Sequence, residues 1–243
     1  MVTLFSDTGS TVPQPITVMP ELGNCGANKM VFIGTGKFLG KDDIDVVPGT
    51  QSMYGIKDKL DSTIYANPQA SGSGFIQQTL TSTTCPAGTP SSVCTTGQSV
   101  RTASNNVVNL ATDNGWLLNF PDTGERDNTD PTLGLATLAF NTNVPSDSSC
   151  EIGGFSFRYF VNYCTGAPIG AAVGNATGST GGVVAVRLGN ALATRPVLVR
   201  LPSNAIVELT RMSDGTTLTS DVPIGPGVTA TRRVSWRELT NEK

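Results

Sequence analysis

The apolar residues of this chain fall in short runs of strand length. Two of them, 30–39 (Met30-Val31-Phe32-Ile33-Gly34-Thr35-Gly36-Lys37-Phe38-Leu39) and 51–58 (Gln51-Ser52-Met53-Tyr54-Gly55-Ile56-Lys57-Asp58), flank the acidic loop Lys41-Asp42-Asp43-Ile44-Asp45. Each run is rich in β-branched and aromatic residues and is closed by turn formers, which predicts a strand. The connection between them is too long for a two-residue hairpin turn. The block reads as two neighbouring strands carrying a decorated loop.

The theme recurs in three regions. In the first, Gln14-Pro15-Ile16-Thr17-Val18-Met19-Pro20 leads into 30–39 and 51–58. In the second, 115–120, beginning Gly115-Trp116-Leu117-Leu118, precedes strands expected over 130–133, 136–142 and 155–161. In the third, 195–200 and 205–209 are followed by a last strand over 233–239 (Arg233-Val234-Ser235-Trp236-Arg237-Glu238-Leu239). The units lie near 14–66, 113–166 and 183–243. Between them, 67–112 is rich in Ser, Thr, Gly and Asn, and 167–182 is rich in Gly; both read as surface insertions. Units of a few short strands are the mark of β-propeller blades. A blade cannot bury both faces alone, and three units are fewer than the about four to eight of a closed propeller. The expected fold is therefore all-β, a partial β-propeller domain over 1–243, with a two-sheet β-sandwich as the alternative.

Composition narrows the chemistry. The 243 residues include 27 Gly and 15 Pro, only 14% are charged, and the net charge is −3. No general attraction to nucleic acid or acidic lipid follows from that charge. From Arg187 onward, seven Arg and one Lys stand against five acids; they are interleaved with strand residues, as on a solvated sheet face. There is no histidine, which removes Ser-His-Asp and Cys-His catalysis and His-ligated zinc or haem. The five cysteines are Cys25, Cys85, Cys94, Cys150 and Cys164, with no CxxC pair. Cys85 and Cys94 bracket a small polar loop that a disulfide would staple. Cys150 and Cys164 flank one predicted strand, Cys25 is left over, and the pairing beyond the short loop stays open. An oxidising compartment is expected. No signal peptide opens the sequence, and no apolar stretch reaches the roughly 20 residues needed to span a bilayer. A secreted-looking composition without a secretion signal, and blade faces left open at both ends, fit a piece of something longer.

Several motifs invite chemistry. Gly34-Thr35-Gly36 lacks the third glycine of a dinucleotide fingerprint and the ending of a P-loop, and no helix pattern follows to bind an anion; it reads as a glycine pair at a strand bend. Asp42, Asp43 and Asp45 could gather oxygens around Ca²⁺, but an EF-hand-like loop from Asp43 would meet Val47 and Pro48 where it needs an oxygen ligand and glycine. Glu125 and Arg126 sit on a turn after the strand ending in Phe120; no second acid converges on Glu125 in sequence, and the plain reading is an Arg that fixes backbone carbonyls or a neighbouring acid. Trp116 and Trp236 read as packing residues before ligand platforms. Asn175-Ala176-Thr177 is a glycosylation sequon.

Three blocks taken together carry a resemblance. They are Gln14-Pro15-Ile16-Thr17 with 32–39 and 51–58; then Gly115-Trp116-Leu117-Leu118 through Gly124-Glu125-Arg126, with Phe140-Asn141-Thr142-Asn143-Val144-Pro145, Cys150 and Gly153-Gly154; and Val234-Ser235-Trp236-Arg237-Glu238-Leu239. This order resembles the C-terminal end of the PilY-type proteins of type IV pili, which act in pilus biogenesis and as tip-associated adhesins. The resemblance implies a modified seven-bladed propeller, similar in fold to quinoprotein dehydrogenases, of which this chain would hold about the last three blades. It implies minor pilins and the pilus assembly machinery as partners, with host or surface receptors for adhesion, and a place at the cell surface, in the periplasm or at the outer membrane. The family's Asp-rich calcium loop has no matching motif here, so calcium belongs to the full-length protein and no cofactor is expected in this segment. Cys164 stands where the family more usually has a polar residue.

The expectation is a non-catalytic scaffold for pilus biogenesis and adhesion, with no catalytic, cofactor-binding or metal residue assigned. The rivals are a quinone-dependent dehydrogenase on the same kind of propeller, and a carbohydrate-binding module using Trp116 or Trp236.

Overall fold

β1 (Glu21–Cys25) and β2 (Asn28–Gly34) form an antiparallel hairpin in which Cys25 pairs with Asn28. The two-residue turn between them puts Gly26 at a φ of 61°, a left-handed position that glycine takes without steric cost. The computed structural model describes residues 14–45, 49–146, 153–169, 181–203 and 205–223.

A short helix, α1 (Asp42–Asp45), fills the loop before β3 (Ser52–Asp58). β4 (Phe75–Gln78), β5 (Leu80–Thr84) and β6 (Ser99–Ser104) follow, then β7 (Gly115–Asn119) and β8 (Thr132–Gly134). The long strands β9 (Thr137–Pro145), β10 (Gly154–Asn162) and β11 (Gly181–Gly189) come next, and β12 (Val197–Arg200), β13 (Ile206–Arg211) and β14 (Thr217–Asp221) close the described chain. They form three sheets, in the orders β1-β2-β3-β7-β4, β5-β6-β11-β10-β9-β8 and β12-β13-β14. All pairings are antiparallel except β4 with β7.

The second sheet lies between the other two, and the period of its strands shows why. Along β9 and β10, Leu138, Phe140, Phe157, Tyr159 and Val161 share one face and join Met30, Phe32, Met53, Trp116, Leu118 and Phe120 of the first sheet and its flank in the main core. Phe140 and Tyr159 are register partners, their rings stacked at 4.6 Å, the cross-strand aromatic pairing that stabilises a sheet. On the opposite face several residues are polar and turn to the third sheet and the segment before it: Asn141 Nδ2 donates to the Thr210 hydroxyl at 2.8 Å and to Thr194 O at 2.7 Å. Ser156 Oγ donates to Ala191 O at 2.9 Å. An all-β stack of three sheets is the result, with more layers than a two-sheet sandwich.

Several sequence expectations need correction. The lead 14–20 is not a strand; the first strand follows it at Glu21. The strand beginning near Met30 ends at Gly34, and 35–39 leaves the sheet. Residues 67–112, expected as an insertion, supply β4 to the first sheet and β5 and β6 to the second. The Gly-rich stretch ends by opening β11, whose Val183-Val184-Ala185-Val186 is core. The strands of the expected second unit divide between sheets, since β7 pairs with β3 while β8, β9 and β10 form a separate meander. Cys25 is not left over: it is bonded to Cys164, and Cys85 to Cys94. The first bond ties the end of β1 to the turn after β10 and so crosses two sheets. Both bonds fit a periplasmic or extracellular setting. Among the described residues no helix is long and apolar enough to cross a membrane. Cys150, the 175–177 sequon and the expected strand 233–239 with Trp236 lie outside the described residues.

Candidate functional site

The segment 122–127 lies where the first two sheets meet, and most of the buried charge among the described residues gathers around it. Glu125 is completely enclosed, and its partner is Arg101 of β6, a fully buried residue from the stretch expected as an insertion. Arg101 Nη1 donates to both Glu125 carboxylate oxygens at 2.6 Å, while Nη2 lies 2.7 Å from Asp122 Oδ2. Thr142 donates its hydroxyl to Glu125 at 2.5 Å, and Tyr159 OH does so at 3.1 Å and also meets Arg101 Nη1. The guanidinium sits 3.8 Å from the Phe157 ring centroid, a cation–π contact sheltered from water. Burial pushes the Glu125 carboxyl above its ordinary range, with Arg101 and Thr142 pulling it back. Burial works to lower the Arg101 value, but the Tyr159, Glu125 and Asp122 groups outweigh it and hold the charge. The two acids of this turn therefore converge on one Arg.

Arg126 does what its plain sequence reading says. Its Nε donates to Gly124 O at 2.9 Å, and Nη1 donates to Lys37 O at 2.7 Å and Asp43 O at 2.8 Å. Its own backbone pairs with Asn143 of β9 in both directions, at 2.9 and 2.8 Å, while Asp127 N donates to Thr35 O at 2.9 Å. The turn is thus a stitch between the end of β2 and β9.

The Gly34-Thr35-Gly36 motif is the other half of that stitch. A Cβ on Gly34 would stand 2.0 Å from Asp127 Oδ2, and one on Gly36 would stand 2.3 Å from Arg126 Cβ, with Gly36 at a φ of 141°. Gly36 is needed because the backbone of Arg126 and Asp127 runs against it, and Gly34 because the Asp127 side chain lies over it. Thr35 N donates to Ser52 O at 2.9 Å and its hydroxyl accepts from Ser52 N at 2.8 Å, fixing the motif to β3. Asp127 is fully buried; its Oδ1 accepts from Thr129 N at 3.2 Å and its Oδ2 has no hydrogen-bond partner. Burial therefore holds this carboxyl well above the ordinary range.

The acidic loop is used the same way. Asp43 Oδ2 accepts from Leu39 N at 2.7 Å and Oδ1 pairs with Lys37 Nζ at 2.9 Å. The Leu39 hydrogen bond, with Lys37, lowers its pKa. Both Asp43 oxygens are thus engaged by donors of the chain itself, and among the described residues no cluster of three acid, Cys or His ligands forms. Trp116 is buried between Gly55 and Gly166, whose added Cβ atoms would lie 2.3 and 2.5 Å from its ring, and its Nε1 donates to Tyr163 O at 2.9 Å. It has no exposed face to offer a sugar.

A second buried pair joins the second and third sheets. Arg158 of β10 meets Glu208 of β13 at 3.3 Å, and Glu208 also contacts the Thr210 hydroxyl. Burial raises the Glu208 pKa and lowers that of Arg158. Beside this pair opens a cleft of about 380 Å³ lined by Arg158 and by Val93, Phe160, Val183, Val186, Val222 and Pro223. Sequence reasoning found Glu125 and Arg126 but missed Arg101, Asp127, Arg158 and the cleft. Arg101 and Arg158 sit at strand positions where alternation leads one to expect an apolar or solvated residue; an Arg flanked by apolar and small residues within a strand, as in Ser99–Ser104, was the available signal.

No protein-family model matches the chain, and no curated protein matches it. Its fold is similar to a solved structure, the C-terminal domain of PilY1 from Pseudomonas aeruginosa. The TM-score is 0.66 at 20% identity, over 92% of this chain and 48% of that one. The fold is thus all-β and propeller-like, and the chain spans about half the length of the structure it matches.

Proposed function

We propose that this chain is a propeller-type scaffold for type IV pilus biogenesis and tip-associated adhesion, acting through protein–protein contact and not through catalysis. The observation that carries the reading is the fold likeness to the PilY1 C-terminal domain along 92% of the chain, together with the ordered blocks that resemble PilY-type proteins. The site geometry supports it: Arg101, Glu125, Arg126 and Asp43 are consumed in joining strands and loops, which suits a rigid support for binding surfaces. Its partners are minor pilins and the assembly machinery, with a surface receptor for the adhesive role, and its place is the cell surface or periplasm. No residue of this chain is assigned a metal or cofactor.

The test is deletion of the gene in the bacterium that encodes it, with surface pili counted by electron microscopy and pilus-driven motility measured. Loss of pili, restored by the wild-type gene, is the expected result. Unchanged piliation, or turnover of an alcohol by purified protein loaded with pyrroloquinoline quinone and Ca²⁺, overturns the proposal.

A further inference from the structure

From Ser62 to Val100 the chain runs for 39 residues without one Asp, Glu, Lys or Arg. β5 lies inside this neutral stretch and forms an outer edge of the second sheet, with Thr81 to Thr84 exposed. Its register turns a row of backbone groups outward. Thr79 O accepts from Ser104 N at 3.0 Å and Cys85 N donates to Gln98 O at 2.8 Å, so the odd positions bond to β6. In an antiparallel ladder the alternate residues then aim their N–H and C=O the other way, which puts those of Leu80, Ser82 and Thr84 on the open side of β5. The other sheet edges among the described residues are guarded. Tyr163 OH donates to Asn24 O of β1 at 2.8 Å, and Asn106 Nδ2 donates to Gln77 O of β4 at 2.7 Å. Thr132 Oγ1 of the three-residue β8 donates to Pro196 O at 2.8 Å. β12 and β14 carry Arg200 and Asp221. Charges, shortness and covering contacts protect an edge against strand addition, and among the described residues β5 has no such guard.

We propose that β5 pairs antiparallel with β5 of a second copy of this chain, about a two-fold axis at Ser82, joining the two six-stranded sheets into one. The strand selects this occupant because it is complementary to itself. With Ser82 opposite Ser82 of the second copy, Leu80 lies opposite Thr84 and Thr84 opposite Leu80. These are the positions whose backbone groups face outward, so each pair exchanges two bonds, about six in all. On the other face Thr81 meets Thr83 and Thr83 meets Thr81, in the non-hydrogen-bonded pairs where side chains come closest and where Thr–Thr pairing stabilises a sheet. A two-fold axis sets the strand against its own copy, and a neutral strand meets no like charge there, although the whole chain carries −3. At the ordinary density of one hydrogen bond per about 100–200 Å², six bonds correspond to about 600–1,200 Å². That is the low end of specific interfaces, so the dimer forms and dissociates with concentration. This inference concerns self-association and stands apart from the pilus reading.

Sedimentation velocity of the full chain over a concentration series tests it. The wild type is expected to pass from monomer to dimer as concentration rises. Ser82→Lys and Ser82→Glu each place like charges across the axis and should weaken the dimer at least about tenfold. Mixing the two variants in equal amounts should restore it, since opposite charges then face each other, an outcome that misfolding of either variant would not produce. Ser82→Pro, which removes a backbone N–H that β6 does not use, should weaken the dimer as well. A wild-type chain that stays monomeric up to its solubility limit overturns the proposal. A dimer that ignores both charged variants, or one that their mixture fails to restore, does the same. Binding of an uncharged extended peptide along β5 of a monomeric wild type also overturns it, since the edge would then serve a partner's strand.

Discussion

The two disulfides should differ sharply in what they contribute, and the difference can be worked from their spacing. Cys25–Cys164 joins residues 139 apart and Cys85–Cys94 joins residues 9 apart. On the chain-entropy account, a cross-link restricts the unfolded chain by an amount growing with the logarithm of the loop, about 5 kcal/mol for the long loop and about 3 kcal/mol for the short one. The long bond also ties the edge of the first sheet to the end of β10 in the second, so its loss frees one layer from the next. Cys25 and Cys94 are both buried in clusters, so replacing either pair with Ala costs similar packing and the comparison isolates the loops. Paired substitutions are preferable to reductant because Cys150 adds a fifth thiol. The assay is equilibrium urea unfolding of Cys25→Ala/Cys164→Ala and Cys85→Ala/Cys94→Ala beside the wild type. The long-loop variant should lose about 2 kcal/mol more than the short-loop variant, with a larger dependence on urea because its unfolded state expands further. If the short-loop variant loses as much or more, the long bond does not act by restricting the unfolded chain across two sheets.

Asp127→Asn should stabilise the protein at neutral pH and change little in acid. The folded carboxyl is raised by burial, so wild-type stability is full below the ordinary carboxylate range and falls as pH rises toward the folded value, by about 1.4 kcal/mol per pH unit while one proton separates the states; a pH series of thermal melts in which the two proteins run parallel would refute this. Gly34→Ala should cost about 1–3 kcal/mol by overpacking, since the new Cβ meets Asp127 Oδ2, Cγ and Cβ at 2.0, 2.4 and 2.6 Å, and Asp127→Gly, which removes all three atoms, should relieve that clash; an additive double mutant would count against that contact. Arg101→Met should destabilise by about 3–5 kcal/mol because it leaves Glu125 buried without its cation, whereas Arg101→Met/Glu125→Leu should recover most of the loss. Urea titrations of the three proteins check it, and a double variant no better than the single one would refute the pairing.

What the sequence made legible was decided by how each strand is buried. β3, β7, β9 and β10 are apolar and β-branched or aromatic along most of their length, and they stand out because they build the core between two layers. β5 (Leu80-Thr81-Ser82-Thr83-Thr84) is an edge strand, mostly exposed, and with little apolar surface to bury it carries no alternation to read. β6 fails for the opposite reason: a fully buried Arg101 occupies a core position, so its pattern breaks where the structure is most enclosed. Layering was equally hidden. Strands adjacent in sequence usually pair, which made 113–166 read as one unit, whereas β7 joins the first sheet and β8 to β10 the second.

The same cause explains why the motifs looked like chemistry. Glycines, acids and an arginine collect in 34–45 and 122–127 because two layers cross there, and a crossing has needs that a single sheet does not. One segment must pass another at a distance only glycine allows, as Gly36 does against the backbone of Arg126 and Gly34 against the side chain of Asp127. Carbonyls left without ladder partners at the strand end must find donors, and Arg126 supplies Lys37 and Asp43. The charge that enters with such donors must itself be paired, as Arg101 is by Glu125. An active site draws on the same residue types, so composition alone does not separate the two. The partners in this chain are strands and loops: Glu125 accepts from Arg101 of β6 and Thr142 of β9, and Arg126 donates to Lys37 O and Asp43 O, so the segment joins one layer to the next.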